Sequence, residues 1–243
     1  MGFLTLIFGT MACGKTAELL KIVSKLQEHN SRCHLRDQKE FAVFKPSLET
    51  RDAETVITSR SGQSFDEAIA VKNITELGGE ILQHKPQVII IDECQFFEFG
   101  KDNDPQKFIK LIRGLLKNGR DVILCGLIQN CYGGEFEILS SLCHEADEII
   151  NPHTTCSCGK TASRTQRLQM GYPTPITDPI IVVDDDNSHD LCYSYEPRCK
   201  ECWEIPDEAH PHLLVFRQNL DKIDQLKVIL DNLRESLQPK TAD

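Results

Sequence analysis

Residues 9–16 read Gly9-Thr10-Met11-Ala12-Cys13-Gly14-Lys15-Thr16, and the rest of the fold can be read outward from this stretch. It satisfies the pattern G-x-x-x-x-G-K-[ST]. The apolar run before it, Phe3 to Phe8, ends abruptly at Gly9 and reads as a buried strand. Thr16 to about His29 carries Leu19, Leu20, Ile22, Val23 and Leu26 on one side and reads as a helix. Strand, glycine-bearing loop, helix is the setting in which this pattern binds phosphate. The glycines let the backbone curl so that successive N–H groups point inward, and the helix adds its positive N-terminal end. Lys15 is placed to neutralise β- and γ-phosphate charge, and the Thr16 hydroxyl to bind Mg²⁺.

A second acidic strand end completes a nucleotide site. Val88-Ile89-Ile90-Ile91-Asp92-Glu93 has the form of a Walker B segment, with four aliphatics delivering two carboxylates to the C-terminal edge of a sheet. Asp92 is placed to hold Mg²⁺ through its water shell. Glu93 suits two jobs equally: accepting the proton of a substrate hydroxyl, or activating water as in a P-loop ATPase.

Further along the chain, strands are expected over 40–45, 55–59 and 121–127, and helices near 73–83, 104–118 and 136–144. Asn118-Gly119 is a helix-stop signal. Alternation of strands and helices predicts an α/β fold of the P-loop NTPase type, a mostly parallel sheet flanked by helices. This first unit is expected over 1–150. From Asn151 to Pro206 the chain turns rich in Cys, Pro, Thr and Asp, which predicts a small β-rich unit over 151–206. Cys156-Ser157-Cys158 and Cys199-Lys200-Glu201-Cys202 supply two close pairs of thiols, a tetrahedral set for structural Zn²⁺. The alternatives are His153 replacing one cysteine, or four free core thiols. The remainder, 207–243, is expected to be a C-terminal amphipathic helix, with Phe216, Leu220, Ile223, Leu226, Leu230, Leu233 and Leu237 recurring at steps of three or four. Packing on its own chain and coiled-coil pairing suit that pattern equally, since Lys227 and Arg234 interrupt a strict heptad seam.

Composition narrows the function classes. With 37 acidic against 27 basic residues, the formal charge of −10 argues against a large nucleic-acid footprint. It leaves room for a small nucleotide held by a local nest of donors. No apolar run reaches the ~18 residues of a membrane span, and no basic n-region precedes the first strand. Eleven cysteines, an odd number, favour a reducing compartment and a metal site over a disulfide framework, so the expected location is the cytoplasm.

Asp92-Glu93-Cys94-Gln95-Phe96-Phe97 resembles the D-E-x-Q-F-F segment of the thymidine kinase family related to the cytosolic mammalian and common bacterial enzymes. Phe44-Lys45-Pro46 with Glu49-Thr50-Arg51, then Thr58-Ser59-Arg60-Ser61-Gly62, are similar to further family stretches. So are Ala162-Ser163-Arg164-Thr165-Gln166-Arg167-Leu168, Asp178-Pro179-Ile180-Ile181-Val182-Val183, and Tyr195-Glu196-Pro197-Arg198-Cys199. The resemblance covers about residues 3–205. It implies transfer of the γ-phosphate of ATP to the 5′-hydroxyl of thymidine, and of deoxyuridine as well, using Mg²⁺ and a structural Zn²⁺ on Cys156, Cys158, Cys199 and Cys202. Glu93 would be the catalytic base. Nucleotide contacts would come from Gly9 through Thr16, Arg51, Asp92, Glu93, Cys94 and Gln95, with Arg60 a further arginine. The nucleoside would meet Met11, Phe96, Leu127, Phe136, Thr165 and Tyr195, and a lasso segment carrying Ile180 and Val182. A homotetramer is implied, with no nucleic-acid or membrane partner. Cys131 stands where relatives usually carry an aromatic residue on the base; losing such a ring contact costs on the order of 1 kcal/mol. The competing reading is a P-loop ATPase whose zinc ribbon binds nucleic acid.

Overall fold

The computed structural model describes residues 1–48, 55–181 and 193–237. In chain order the phosphate-loop unit comprises β1 (Leu4–Phe8), α1 (Lys15–Arg32), β2 (Phe41–Pro46), β3 (Ile57–Thr58), β4 (Ser64–Phe65), β5 (Ile69–Val71), α2 (Ile74–His84), β6 (Val88–Ile91), α3 (Pro105–Lys117), β7 (Asp121–Gly126), α4 (Glu137–Leu142) and β8 (Glu148–Ile150). Six of these strands form one sheet in the order β5-β2-β6-β7-β1-β8, every pairing parallel. Alternate side chains go to opposite faces, as the pleat requires. Leu4, Leu6, Ile89 and Ile91 join a core with α2, α3 and α4, whereas Ile7, Val88 and Ile90 join another with α1. A sheet covered on both faces explains why its strands read as continuous apolar runs rather than alternating ones.

Local chemistry sets the helix ends. The Asn73 side chain accepts from the Glu76 N–H at 3.0 Å, and the Asp104 carboxylate caps α3 just ahead of Pro105 at its first turn. The sheet order brings the C-terminal ends of β1, β7 and β6 side by side, with Phe8 opposite Gly126 and Ile91 opposite Leu124. Both motifs therefore open onto one edge.

Several expectations need correction. The strand expected over 55–59 is a two-residue piece that pairs antiparallel with β4 in a small hairpin outside the main sheet. Buried Lys45 ties that hairpin to β2 by donating to the Val56 carbonyl at 3.0 Å. The helix expected over 136–144 stops at Leu142 and tightens into a 3₁₀ turn over Cys143–Glu145. β5 and β8, the two edge strands, were not anticipated; each has only three residues, too short for a periodic signal.

The second unit is a three-stranded antiparallel sheet of β9 (Arg164–Gln169), β10 (Tyr172–Pro173) and β11 (Tyr193–Arg198), ordered β10-β9-β11. The residues from Asp178 to Ile181, expected to begin a lasso strand, are not in a strand, and Val182 lies outside the described residues. Helix α5 (Pro211–Leu237) follows. Its Leu213 is fully buried and Phe216 and Leu220 are half-buried, but from Asp221 to Leu230 every side chain is exposed. No described helix is long and apolar enough to cross a membrane.

At the sheet edge, a Cβ on Gly126 would lie 2.4 Å from Gln95 Oε1 and 3.0 Å from Cys94 Sγ, both buried. Gly126→Ala is therefore expected to lower stability by about 1–3 kcal/mol, read from the denaturant midpoint. An unchanged midpoint would mean the two side chains retreat without cost.

Candidate functional site

The loop between β1 and α1 has the shape its composition predicts. Ala12 (φ 61°) and Gly14 (φ 93°) adopt left-handed backbone, which turns neighbouring N–H groups toward a common centre. Gly14 is needed there because side-chain-bearing residues adopt that conformation only with strain. Lys15 is buried, and its ammonium donates to the Thr10 carbonyl at 2.9 Å, folding back over the loop. A cavity of about 370 Å³ opens at this point, lined by Lys15, Thr16, Ser59, Arg60, Glu93 and His153 among others. The structure thus brings Arg60 to the phosphate loop. Arg51 lies outside the described residues.

The acidic pair is buried at the mouth of β6, with Asp92 4% and Glu93 6% exposed. Asp92 accepts from the Glu93 N–H at 2.9 Å. Burial, then the adjacent Glu93 charge, raises the Asp92 carboxyl to about 6, against a smaller pull from Lys15. A cation delivered there would lower it again. Glu93 itself adopts a left-handed backbone (φ 47°), uncommon for a residue other than glycine. Its carboxylate is fixed by Gln95, whose Nε2 donates to Glu93 Oε2 at 2.6 Å. The Gln95 Oε1 in turn accepts from the Leu127 N–H at 3.0 Å. Gln95 was expected to touch nucleotide; in the structure its amide, 2% exposed, spans from Glu93 to the end of β7. Cys94 is buried beside it, its thiol pushed up by burial. Phe96 is half-buried in the 3₁₀ turn Cys94–Glu98, and Phe136 is buried edge-on to Phe99 with centroids 6.1 Å apart.

The antiparallel sheet docks against this edge by hydrogen bonds: the Met11 N–H donates to Thr165 Oγ1 at 3.0 Å, and Arg164 donates to Gln129 Oε1 at 2.9 Å. Thr165 therefore sits at the phosphate loop, 5% exposed, and lines a second cavity of about 200 Å³ with Thr10, Gln129, Asn151, His153 and Arg164. Phe96, Leu127, Phe136, Ile180 and Tyr195 line neither cavity. Sequence reasoning missed Trp203. Its indole N–H lies 3.2 Å from the Thr165 carbonyl and 3.3 Å from that of Cys131, and its ring occupies the space a Cβ on Gly133 would need. A lone tryptophan directly after a paired cysteine was the available signal. Cys131 is itself buried.

Arg167, within the motif quoted above, is the other missed residue. It is 1% exposed, and its guanidinium donates to Thr174 Oγ1 (3.1 Å), the Pro179 carbonyl (2.6 Å) and the Tyr132 hydroxyl. It also lies over the rings of Tyr132 and Tyr193 and is hydrogen-bonded to Tyr195. Tyr132 thus turns toward the root of the lasso segment.

Cys156, Cys158, Cys199 and Cys202 present sulfurs all within 4.8 Å of one another, with Cys158 and Cys199 3.6 Å apart. Four thiolates bonded to one ion at ~2.3 Å would be spaced about that far apart. Backbone N–H groups of Cys158 and Cys199 pull the Cys156 thiol down to about 6, while hydrogen bonds with Cys158, Cys199 and Cys156 push Cys202 up to about 12. A cation at the centre would favour all four thiolates together. His153 is not in the cluster; it faces the phosphate loop.

Comparison with known proteins agrees with this geometry. The model of the family described as "Thymidine kinase" matches residues 2–203. The thymidine kinase of Mycoplasmoides gallisepticum is 31% identical over 228 residues, covering 91% of this chain and 92% of its own. The enzyme of that name from Thermococcus kodakarensis is 34% identical, over 85% of this chain and 96% of its own. A third, from Coprothermobacter proteolyticus, is 34% identical over 89% of this chain and 96% of its own. A phosphate loop, a buried Asp-Glu pair and a four-cysteine sheet joined to that loop thus fall within the matched span, and this chain belongs to the thymidine kinase family.

Proposed function

We propose that this chain transfers the γ-phosphoryl group of ATP to the 5′-hydroxyl of thymidine, giving dTMP and ADP in deoxynucleotide salvage. The observation that carries the reading is Glu93, buried at the phosphate-loop cleft with Lys15 and locked by Gln95 into a single orientation. A base meant for one substrate hydroxyl gains from being held in place, because misplacement of the reacting groups is costly.

In this reading Lys15 and the loop N–H groups grip the β- and γ-phosphates, and Arg60 adds charge from the facing hairpin. The Thr16 hydroxyl and Asp92 would hold Mg²⁺, which when bound neutralises charge on the phosphoryl oxygens. The nucleoside 5′-oxygen attacks the γ-phosphorus as the bond to the β,γ-bridging oxygen breaks. Glu93 takes the hydroxyl proton. Thr165 and the backbone around Ile180 read the base, with Met11, Phe96, Leu127, Phe136 and Tyr195 around it. Zn²⁺ on the four cysteines would fix the antiparallel sheet that presents Thr165. A cytoplasmic homotetramer, accepting deoxyuridine as well, belongs to the same proposal by resemblance.

Glu93→Gln is expected to lower thymidine phosphorylation about a hundredfold or more while leaving Mg-ATP binding in place. The assay is monophosphate formation with each deoxynucleoside in turn. ATP hydrolysis indifferent to every nucleoside would instead favour the ATPase reading. Gln95→Leu removes the hold on Glu93 and should reduce kcat about tenfold with zinc content unchanged; an unaltered kcat would show that Glu93 is oriented by other means. Stripping the metal with a chelator is expected to abolish thymidine binding in calorimetry and spare Mg-ATP binding. Retained thymidine affinity in the metal-free protein would separate the ribbon from the substrate site.

A further inference from the structure

Helix α5 lies beyond the span matched by the family model, which ends at residue 203, yet one of its side chains reaches the segment on which nucleoside binding is proposed to depend. Arg217 extends from the second turn of α5 to Asp178. Its two terminal nitrogens meet the two carboxylate oxygens at 3.0 and 2.5 Å, the paired fork geometry that fixes both partners. Its Nε donates to Gln169 Oε1 at 2.8 Å, and Gln169, on β9, is fully buried. The Asp178 side chain is 9% exposed and that of Arg217 29%, so this pair is largely withdrawn from solvent. Such a pair responds strongly to the loss of one partner, because the other charge is left buried and unmatched.

Asp178 stands two residues before Ile180, whose backbone is proposed above to read the base. On its other side, Arg167 grips the Pro179 carbonyl. The stretch from Thr174 to Ile180 is thus held by two arginines, Arg167 from β9 at Thr174 and Pro179 and Arg217 from α5 at Asp178. Between them the backbone bonds are few: Thr174 N–H to the Arg167 carbonyl (3.1 Å), Ile176 N–H to the Pro206 carbonyl (3.1 Å) and Asp178 N–H to the Pro175 carbonyl (3.1 Å). α5 itself is seated close by, with His210 stacked on Tyr172 at 4.0 Å and Leu213 buried.

We propose that α5 is a strut for the lasso segment, and that Arg217 is a positioning residue for the nucleoside, acting through Asp178. The inference rests on the reading that residues after Asp178 bind the base. It adds to that reading a dependence of substrate affinity on a helix that the family model, ending at residue 203, does not reach.

The test uses the full-length, zinc-loaded chain carrying Arg217→Ala, Arg217→Lys or Asp178→Asn, with Lys222→Ala on exposed α5 surface as control. Expected is a rise of about tenfold in KM for thymidine in Arg217→Ala and Asp178→Asn, kcat within about twofold, and an unchanged KM for ATP. Arg217→Lys, which keeps the charge but not the fork, should fall between, and the control should match wild type. The double variant Arg217→Ala/Asp178→Asn should be no worse than either single one. Amide hydrogen exchange supplies a readout independent of activity: Ile176 and Asp178 should exchange faster in Arg217→Ala, while β1, β6 and β7 stay protected. Unchanged exchange at those two amides, or a lowered melting temperature with thymidine KM unmoved, would overturn the strut. Failure of the functional reading is visible separately, in the wild type. Should it phosphorylate another deoxynucleoside, the same KM split is read with that compound. Should it phosphorylate none, the exchange result still decides whether α5 holds this segment.

Discussion

The hydrogen bond from the Met11 N–H to the Thr165 hydroxyl ties two sheets of different construction together at the phosphate loop itself. Met11 belongs to a loop whose backbone is committed to turning N–H groups inward. A donor left over at its outer rim, buried and unpaired, would cost stability. The antiparallel sheet supplies the acceptor from β9, a strand whose interior positions are buried almost without break. The parallel sheet therefore finishes its phosphate loop with a group borrowed from the second unit. Trp203 reinforces the seam by directing its N–H at carbonyls on both sides of it.

The electrostatics of the cleft follow from burial more than from the number of charges. Asp92 and Glu93 are adjacent in sequence and both withdrawn from water, with Lys15 buried in the same place. Two carboxylates and one ammonium leave a local excess of negative charge, suited to a divalent cation rather than to the phosphates alone. The left-handed loop backbone and Arg60 bring donors and positive charge to the same cavity. The net charge of the chain, −10, says little about this cavity, where orientation of a few dipoles decides what enters.

How much of this was legible beforehand follows from the range of each signal. The octet at 9–16, the Val88–Glu93 strand and the cysteine pairs carry their meaning within a few residues of sequence, and each element lies where the pattern placed it. Glu93 as a carboxylate at a strand end was legible; its being locked by Gln95 was not, because the lock closes only when β6 and β7 lie side by side. β5 and β8 were invisible for want of length, and the hairpin of β3 and β4 is held by a buried lysine that pattern reading takes for a surface residue. Arg167 and Arg217 show the same limit. An arginine reads as solvated until three-dimensional neighbours convert it into a buried clamp. The periodicity of α5 correctly predicted a helix, but its apolar stripe from Ile223 to Leu230 stays exposed, so periodicity here reports helix formation and not what the helix packs against.

The position of Trp203 has an optical consequence. It is the chain's one tryptophan, it directly follows Cys202 of the four-cysteine cluster, its ring lies against the Arg164 guanidinium and its N–H faces the backbone of Thr165. Its fluorescence is therefore a single-site signal, free of overlap from other indoles. Quenching or a spectral shift would report the joint between the cysteine cluster and the phosphate loop, in the unlabelled protein and in real time.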